Sequence, residues 1–171
     1  MADARTEAMA EIRRALAELA LDWSESEPGL FLVTLPGTRK LRTECALAVG
    51  RYQLGIRAFV ARNPDQDHEV VYRRLLERNL KLSAVAFSVD ADGDIHLTGG
   101  LPLAGVTAAE IDRVLGIVAD TADSMFNIIL ELGFADSIRR EWAWRRSRGE
   151  STANLAAFRH LDPAADRERR S

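Results

Sequence analysis

The segment LRTECALAVGRYQLGIRAFV, residues 41–60, restricts the fold more than any other part of the chain. Leu41, Thr43, Cys45, Leu47 and Val49 alternate with Arg42, Glu44, Ala46 and Ala48. On the return, Tyr52, Leu54, Ile56, Ala58 and Val60 repeat the alternation. Successive strand residues point to opposite faces, and directly opposed residues of an antiparallel pair share a face. Pairing Val49 with Tyr52, Leu47 with Leu54 and Cys45 with Ile56 keeps the apolar set together. It also leaves Gly50-Arg51 as a two-residue loop with glycine first, as a type II′ turn requires. A slip of one residue would divide the apolar face, so a one-sided antiparallel hairpin is specified.

The remaining elements fit around such a sheet. Met9, Ile12, Leu16, Leu19 and Trp23 recur at spacings of three and four and predict an amphipathic helix over 4–23. Pro28-Gly29 breaks it, LFLVTL (30–35) reads as a strand, and Pro36-Gly37 signals a type II turn. A helix is expected from His68 to Leu80, capped by Asp67 or Asp65, with Val71, Leu75, Leu76 and Leu80 as its buried side. SAVAFSV and DIHLTG are two further strands. Thr107 and Glu110 form a capping box, with Val106 and Ile111 as its hydrophobic staple. From there Ile111, Val114, Leu115, Val118, Ala122, Met125, Phe126 and Ile129 trace one helical face, ended by Gly133 as a C′ residue. SIRREWAWRR is a shorter helix capped by Asp136, and NLAAFRHL adds a helical turn or two. The expected fold is α+β: an antiparallel five-stranded sheet with flanking helices, in the order α-β-β-β-α-β-β-α plus short C-terminal helices. One domain spans 1–161, and the polar tail 162–171 is expected to be disordered.

Composition and motifs exclude several kinds of chemistry. The net charge of −3 argues against a protein devoted to nucleic acid. The single cysteine, Cys45, cannot form an internal disulfide, and the charged N-terminus is neither a signal peptide nor a membrane span, so a cytoplasmic protein is expected. Asp90-Ala91-Asp92-Gly93-Asp94 resembles the start of a calcium loop, but the glycine and glutamate positions of that loop fall on Ile95 and Leu101. A hairpin accounts for it better: if Val89 faces Ile95 and Phe87 faces Leu97, Ala91-Asp92-Gly93 is a three-residue loop with left-handed Gly93. HEVVY (68–72) lacks the second histidine of a zinc protease motif, and LTGGLPLAG lacks the context of a phosphate loop. No catalytic set, cofactor site or metal site emerges.

The best candidate for a functional surface is SIRREWAWRRSRGE, residues 137–150. Trp142 and Trp144 are about 200° apart on a helix, so one buried stripe cannot hold both. Ile138 shares a face with Trp142, which makes Trp142 the core residue. Trp144 is then exposed, stacked on Arg140, packed under the C-terminal helix, or buried against another subunit. Arg139, Arg140, Trp144, Arg145 and Arg146 are the candidate partner-binding residues. Against this stands the reading of the arginines as a solvated face, since all but Lys40 and Lys81 of the 23 basic residues are arginine, as a G- and C-rich genome would impose. The sheet adds a second hint. Its non-core face carries Ala46, Ala48, Gly55, Ala84 and Ala86, small residues that either the C-terminal helices or another chain covers.

LPGTRKL, AFVARNPDQDHEVVYRRLLERN, VAFSVDADGDIHLTGGLPL and FNIILELGFADSIRREWAWRRSRGE together resemble the actinobacterial branch of the YbjN-domain family, over roughly residues 28–160. That family is grouped with proteins similar to type III secretion chaperones. The resemblance implies a twisted antiparallel sheet flanked by helices, commonly dimeric, and brings no catalytic residues with it. The expected function is therefore a non-enzymatic protein-binding module, chaperone-like or regulatory, acting as a homodimer on an unidentified protein or peptide. The alternative is a small-molecule or anion-sensing regulator using the arginine cluster at 139–148, with RNA binding through the same cluster as a third reading.

Overall fold

The computed structural model describes residues 3–168. Six strands form one antiparallel sheet: β1 (Asp22–Glu27), β2 (Leu30–Pro36), β3 (Arg42–Val49), β4 (Gln53–Ala61), β5 (Val85–Val89) and β6 (Ile95–Pro102). Their spatial order is β1-β2-β3-β4-β6-β5. Among the described residues five α-helices accompany them: α1 (Ala4–Glu18), α2 (His68–Asn79), α3 (Ala108–Gly133), α4 (Ala135–Arg148) and α5 (Pro163–Glu168). A 3-10 segment, Ala153–Leu161, joins the last two. Among the described residues no helix is long and apolar enough to cross a membrane.

The core forms where the sheet's apolar alternation meets the helices. Phe31, Val33, Leu47, Leu54, Ile95 and Leu97 are fully buried on the inner face. There α3 packs on β2, β4 and β5, while α1 packs on β3 and on α3. Thr107 caps α3 by accepting the Glu110 amide through its hydroxyl at 3.2 Å, and Val106 and Ile111 are both buried as a staple should be. Glu110 does not complete the box; its carboxylate takes the Arg113 guanidinium instead.

The strand count is six rather than five because DWSESE is a strand. The helix expected through Trp23 stops at Glu18, and Ala20 turns the chain with φ of 52°. Trp23 then opposes Val33 in β1 and packs 6.0 Å from the Phe31 ring. Its spacing of four from Leu19 fits a helix by coincidence. The serine–glutamate alternation offers no apolar face and so no strand signal, yet an edge strand needs little more than backbone pairing. Pro28-Gly29 becomes the β1–β2 hairpin loop, with Gly29 at φ of +89°. Arg13 of α1 grips Glu25 of β1 with two bonds of 2.9 and 2.8 Å.

The β3–β4 register also differs. Val49 opposes Leu54, Leu47 opposes Ile56 and Cys45 opposes Ala58. This is two residues from the expected pairing, and Arg51-Tyr52 occupies the turn under a Gly50 amide bond to the Gln53 carbonyl. A two-residue slip returns every side chain to its own face, so alternation is blind to it. Tyr52 is left outside the ladder, exposed, beneath the Arg51 guanidinium. The β5–β6 hairpin follows the expected register, with Val89 opposite Ile95 and Phe87 opposite Leu97.

Three helix details depart from the periodicity. On α2, Val71 and Leu75 are buried, but Leu76 and Leu80 are 66% and 88% exposed. Tyr72, Leu76 and Leu80 form a second apolar stripe, about 100° round from Leu75, and only one stripe can face the core. Asp67 sits at the cap position in a left-handed conformation, and its side chain makes no capping bond. Gly133 is the last residue of α3 and not a left-handed C′ residue. A Cβ there would lie 2.8 Å from Pro64 Cβ, so glycine lets the β4–α2 loop close on the helix, and its carbonyl accepts the amides of Asp65 and Gln66. The expected disordered tail also begins too early: Asp162 is buried and Pro163–Glu168 is helical, while residues 169–171 lie outside the described residues.

The loop after β2 is held from α3. Asp123 Oδ1 accepts the backbone amides of Thr38, Arg39 and Lys40 at 2.8, 2.7 and 2.9 Å, and its Oδ2 accepts the Thr38 hydroxyl at 2.9 Å. Desolvation pushes the Asp123 carboxyl up, but these donors outweigh it and hold its pKa below the usual aspartate value. A depressed carboxylate stabilises the fold above its unfolded pKa, and that contribution is lost as pH falls through the folded one. Asp123→Ala should cost about 1.5–3 kcal/mol at neutral pH. The variant should also lose part of the wild-type decline in stability on acidification below the ordinary aspartate range, read by urea unfolding across pH. In the β5–β6 turn Gly93 has φ of +86°, and a Cβ would lie 2.3 Å from Asn63 Nδ2. Gly93→Val should destabilise by about 1–3 kcal/mol, and calcium should leave the wild-type Tm unchanged.

Candidate partner-binding surface

Helix α4 leaves α3 through Phe134 and turns one face inward. Ile138 and Trp142 are buried, and Trp142 Nε1 donates to the Phe158 carbonyl at 3.2 Å. Buried indole needs such a partner, and the 3-10 segment supplies it together with the Leu155 and Phe158 side chains. The 200° rule therefore separates the tryptophans as expected. Trp144 points away and remains 45% exposed, with the Arg148 guanidinium 5.4 Å from its ring centroid. The stacking partner is Arg148 and not Arg140: from position 144, residues 140 and 148 both lie one helical turn away, and spacing alone does not choose between them.

The five candidate residues do not converge on one point. Arg139 pairs with Asp136 at 2.7 Å. Arg140 donates to the Ser137 hydroxyl at 2.8 Å and lines a shallow depression with Ser137, Glu141 and Trp144. Arg145 is bound by Glu141 at 2.6 Å and by the Ser151 carbonyl at 3.0 Å, which ties the helix end to the following turn. Arg146 lies over the Trp142 ring and pairs with buried Asp162, whose other oxygen caps α5 by accepting the Ala164 amide. Arg139, Arg145 and Arg146 are thus each neutralised by a carboxylate of the same chain. Among the described residues Arg140 has no carboxylate within ion-pair distance, and it lies beside exposed Trp144.

The outward sheet face also keeps solvent access. Ala48 is exposed, while Ala46, Gly55, Ala84 and Ala86 are half-buried. Leu32 is 43% exposed on the same side. Next to them lies a polar cluster whose members no local pattern joins. Asp90 Oδ2 bonds His96 Nε2 at 2.8 Å and Arg57 Nη2 at 3.2 Å, and His96 is buried between Arg57 and the edge of Phe59. Asp90 Oδ1 accepts the amides of Asp92 and Asp94, while Asp94 accepts the Asn63 amide. Two of the three loop aspartates are engaged in holding the turn. Among the described residues no three His, Cys, Asp or Glu side chains are grouped to hold a metal ion. Burial pushes the Cys45 thiol up to about 12, so it is a packing residue and not a nucleophile.

The surface missed at the sequence level is the exposed stripe of α2. Tyr72, Leu76 and Leu80 stand at i, i+4 and i+8, flanked by Glu69, Arg73 and Glu77. The signal was present as two apolar stripes on one helix, read as a single broad one. The contrast between the two tryptophans is a direct check on these assignments. Trp142→Ala should cost about 3–5 kcal/mol in denaturant unfolding, whereas Trp144→Ala should stay within about 0.5 kcal/mol of wild type.

Comparison with known proteins agrees with this architecture. The chain is 49% identical over 157 residues to an uncharacterized protein of Mycobacterium tuberculosis, covering 89% of this chain and 86% of that one. Among solved structures it is similar to the Yersinia pestis type III secretion chaperone SycH, crystallised with a stable fragment of YscM2, with a TM-score of 0.51 at 20% identity over 67% of this chain and 96% of that one. It is likewise similar to YbjN from E. coli, with a TM-score of 0.51 at 10% identity over 72% and 89%. The α+β antiparallel architecture is therefore that of type III secretion chaperones. Residues 9–131, from α1 through most of α3, match the family described as "YbjN: Putative bacterial sensory transduction regulator", and the chain belongs to the YbjN family.

Proposed function

We propose that this protein is a non-enzymatic, homodimeric protein-binding module, a chaperone-like or regulatory adaptor. The observation that carries the reading is the α2 stripe: Leu76, and Leu80 at the helix end, are exposed to solvent in line with half-buried Tyr72, on a helix whose other apolar side is already in the core. A second copy of the chain suits it. Two α2 helices packed antiparallel about a two-fold axis would lay stripe on stripe, and the same flank of each helix would meet. That flank carries Glu69, Arg73 and Glu77, with Arg73 3.8 Å from Glu69 of its own helix, so the Arg73 of each copy can also reach Glu77 of the other, which has no ion pair among the described residues. The resemblance in fold to a secretion chaperone crystallised with a protein fragment supports the adaptor role.

Partner recognition is assigned to the surfaces left open: the small-residue sheet face and the α4 patch of Arg139, Arg140, Trp144, Arg145 and Arg146. Arg140 and Trp144 make the direct contacts, and the other three hold the helix in place through their internal carboxylates. Small residues allow the backbone of an incoming strand or helix to approach closely, and tryptophan and arginine are among the residues most enriched at interface hot spots.

Light scattering during size-exclusion chromatography should give twice the 18.9 kDa chain mass for the wild type. Leu76→Glu with Leu80→Glu should give the monomer with unchanged far-UV circular dichroism. A monomeric wild type would remove the dimer. Affinity capture from native lysate should return a protein that Trp144→Ala and Arg140→Ala lose; no partner, or one held equally by both variants, would count against the adaptor.

A further inference from the structure

Lys40 is one of two lysines in a chain that otherwise uses arginine, and its position is set with unusual care. Asp123 holds the amides of residues 38–40, so the Lys40 side chain leaves the loop from a fixed point. Its ammonium lies between two aromatic faces, 5.5 Å from the Phe59 centroid and 5.2 Å from that of Phe126. It is half-buried, and among the described residues it makes no side-chain hydrogen bond or ion pair. Desolvation holds its pKa below the usual lysine value, with only the more distant field of Glu44 opposing. Glu44 accepts the Thr34 hydroxyl at 3.0 Å and keeps its charge.

Beside this ammonium opens a cavity of about 510 Å³ between β4, α3, α4 and the 3-10 segment. Phe59, Phe126, Leu130, Ile138 and Leu155 supply apolar wall. The other charged side chains lining it are already matched: Arg62 is bound by Asp65 at 2.7 and 3.0 Å, and Glu141 by Arg145 at 2.6 Å. A concave apolar site of roughly 300–1,000 Å³ with one or a few placed polar groups is the usual form of a small-molecule pocket. Here the placed group is a cation with no direct ion pair among the described residues, acted on only by the field of Glu44.

We propose that this cavity binds a small carboxylate with an apolar body, the alkyl or aryl part against the Phe126, Leu130, Ile138 and Leu155 wall and the carboxylate on Lys40 Nζ. An organic cation is disfavoured because the aromatic faces already hold the Lys40 ammonium. A small inorganic anion would gain the ion pair but leave the wall wet. The site is separate from the α2 stripe and adjoins the Trp144 depression through Ser137 and Glu141, and it does not depend on the chain being a dimer.

Calorimetric titration of the full chain with decanoate and with decanol tests the inference. Decanoate should bind saturably, one per chain, and about tenfold or more tighter than decanol, the margin of a charge-assisted bond. Lys40→Met keeps the aliphatic stem and should bring decanoate down to the level of decanol while leaving decanol unchanged. Lys81→Met, which removes the other lysine, should behave as wild type. Leu130→Trp, which fills the cavity, should weaken both probes. Equal affinity of the wild type for the two probes, a decanoate affinity unchanged by Lys40→Met or by Leu130→Trp, or no saturable decanoate binding to the folded wild type would each overturn it.

Discussion

Six antiparallel strands send Phe31, Val33, Leu47, Leu54, Ile95 and Leu97 to one side, and the 26-residue helix α3 with α1 closes over them. This one-sided burial is the constraint under which every other feature operates. At roughly 1.5–3 kcal/mol for each large apolar side chain removed from water, the inner face dominates the favourable side of folding. The outer face contributes little to that burial and is therefore free to carry alanine, glycine and charge. A sheet covered on both faces could not offer the small-residue surface that partner binding is assigned to here.

Around that core, polar groups do the joining between segments distant in sequence. The Asp123 carboxylate reaches from the middle of α3 to three amides of the β2–β3 loop, a separation of more than eighty residues. Asp90 organises its own turn with one oxygen and reaches His96 and Arg57 with the other. Asn79 closes α2 onto the β5 edge strand, accepting the Phe87 amide at 2.7 Å and donating to its carbonyl at 3.2 Å. That last pair matters for specificity: unpaired edge groups invite other chains, and here one amide side chain takes the place of a strand.

The arginine-rich helix shows how composition can overstate a site. Five arginines against one glutamate in 137–148 look like an anion-binding surface, but Asp136, Glu141, Glu150 and Asp162 are drawn in around them. Two of those carboxylates lie beyond the helix in sequence and are brought back only by the turn and the 3-10 segment. What remains open is an exposed indole with one arginine before it and one stacked on it, a surface suited to a protein partner more than to a phosphate.

Most of this fold was legible because it rests on periodicity. The inner strand faces, the buried face of α3, the Thr107 cap, the Gly93 turn with its register and the division of labour between Trp142 and Trp144 all follow from spacing of two or 3.6 and from the backbone freedom of glycine. The departures share a physical reason: each is settled by strand pairing or packing that alternation and helical spacing do not encode. DWSESE is a strand because β2 offers it a partner. The β3–β4 turn moves by two residues because faces repeat every two. Gly133 is small because Pro64 presses on it. Leu76 and Leu80 face water because the core had room for one stripe of α2, and Lys40 meets Phe59 and Phe126 because Asp123 holds its loop. The sequence by itself determined the inner strand faces, the buried face of α3 and the elements that carry a regular apolar period. Only the tertiary structure decided what lies against what, since an unpaired edge, a spare apolar stripe or a cation with no direct ion pair is defined by its surroundings and not by the residues that make it.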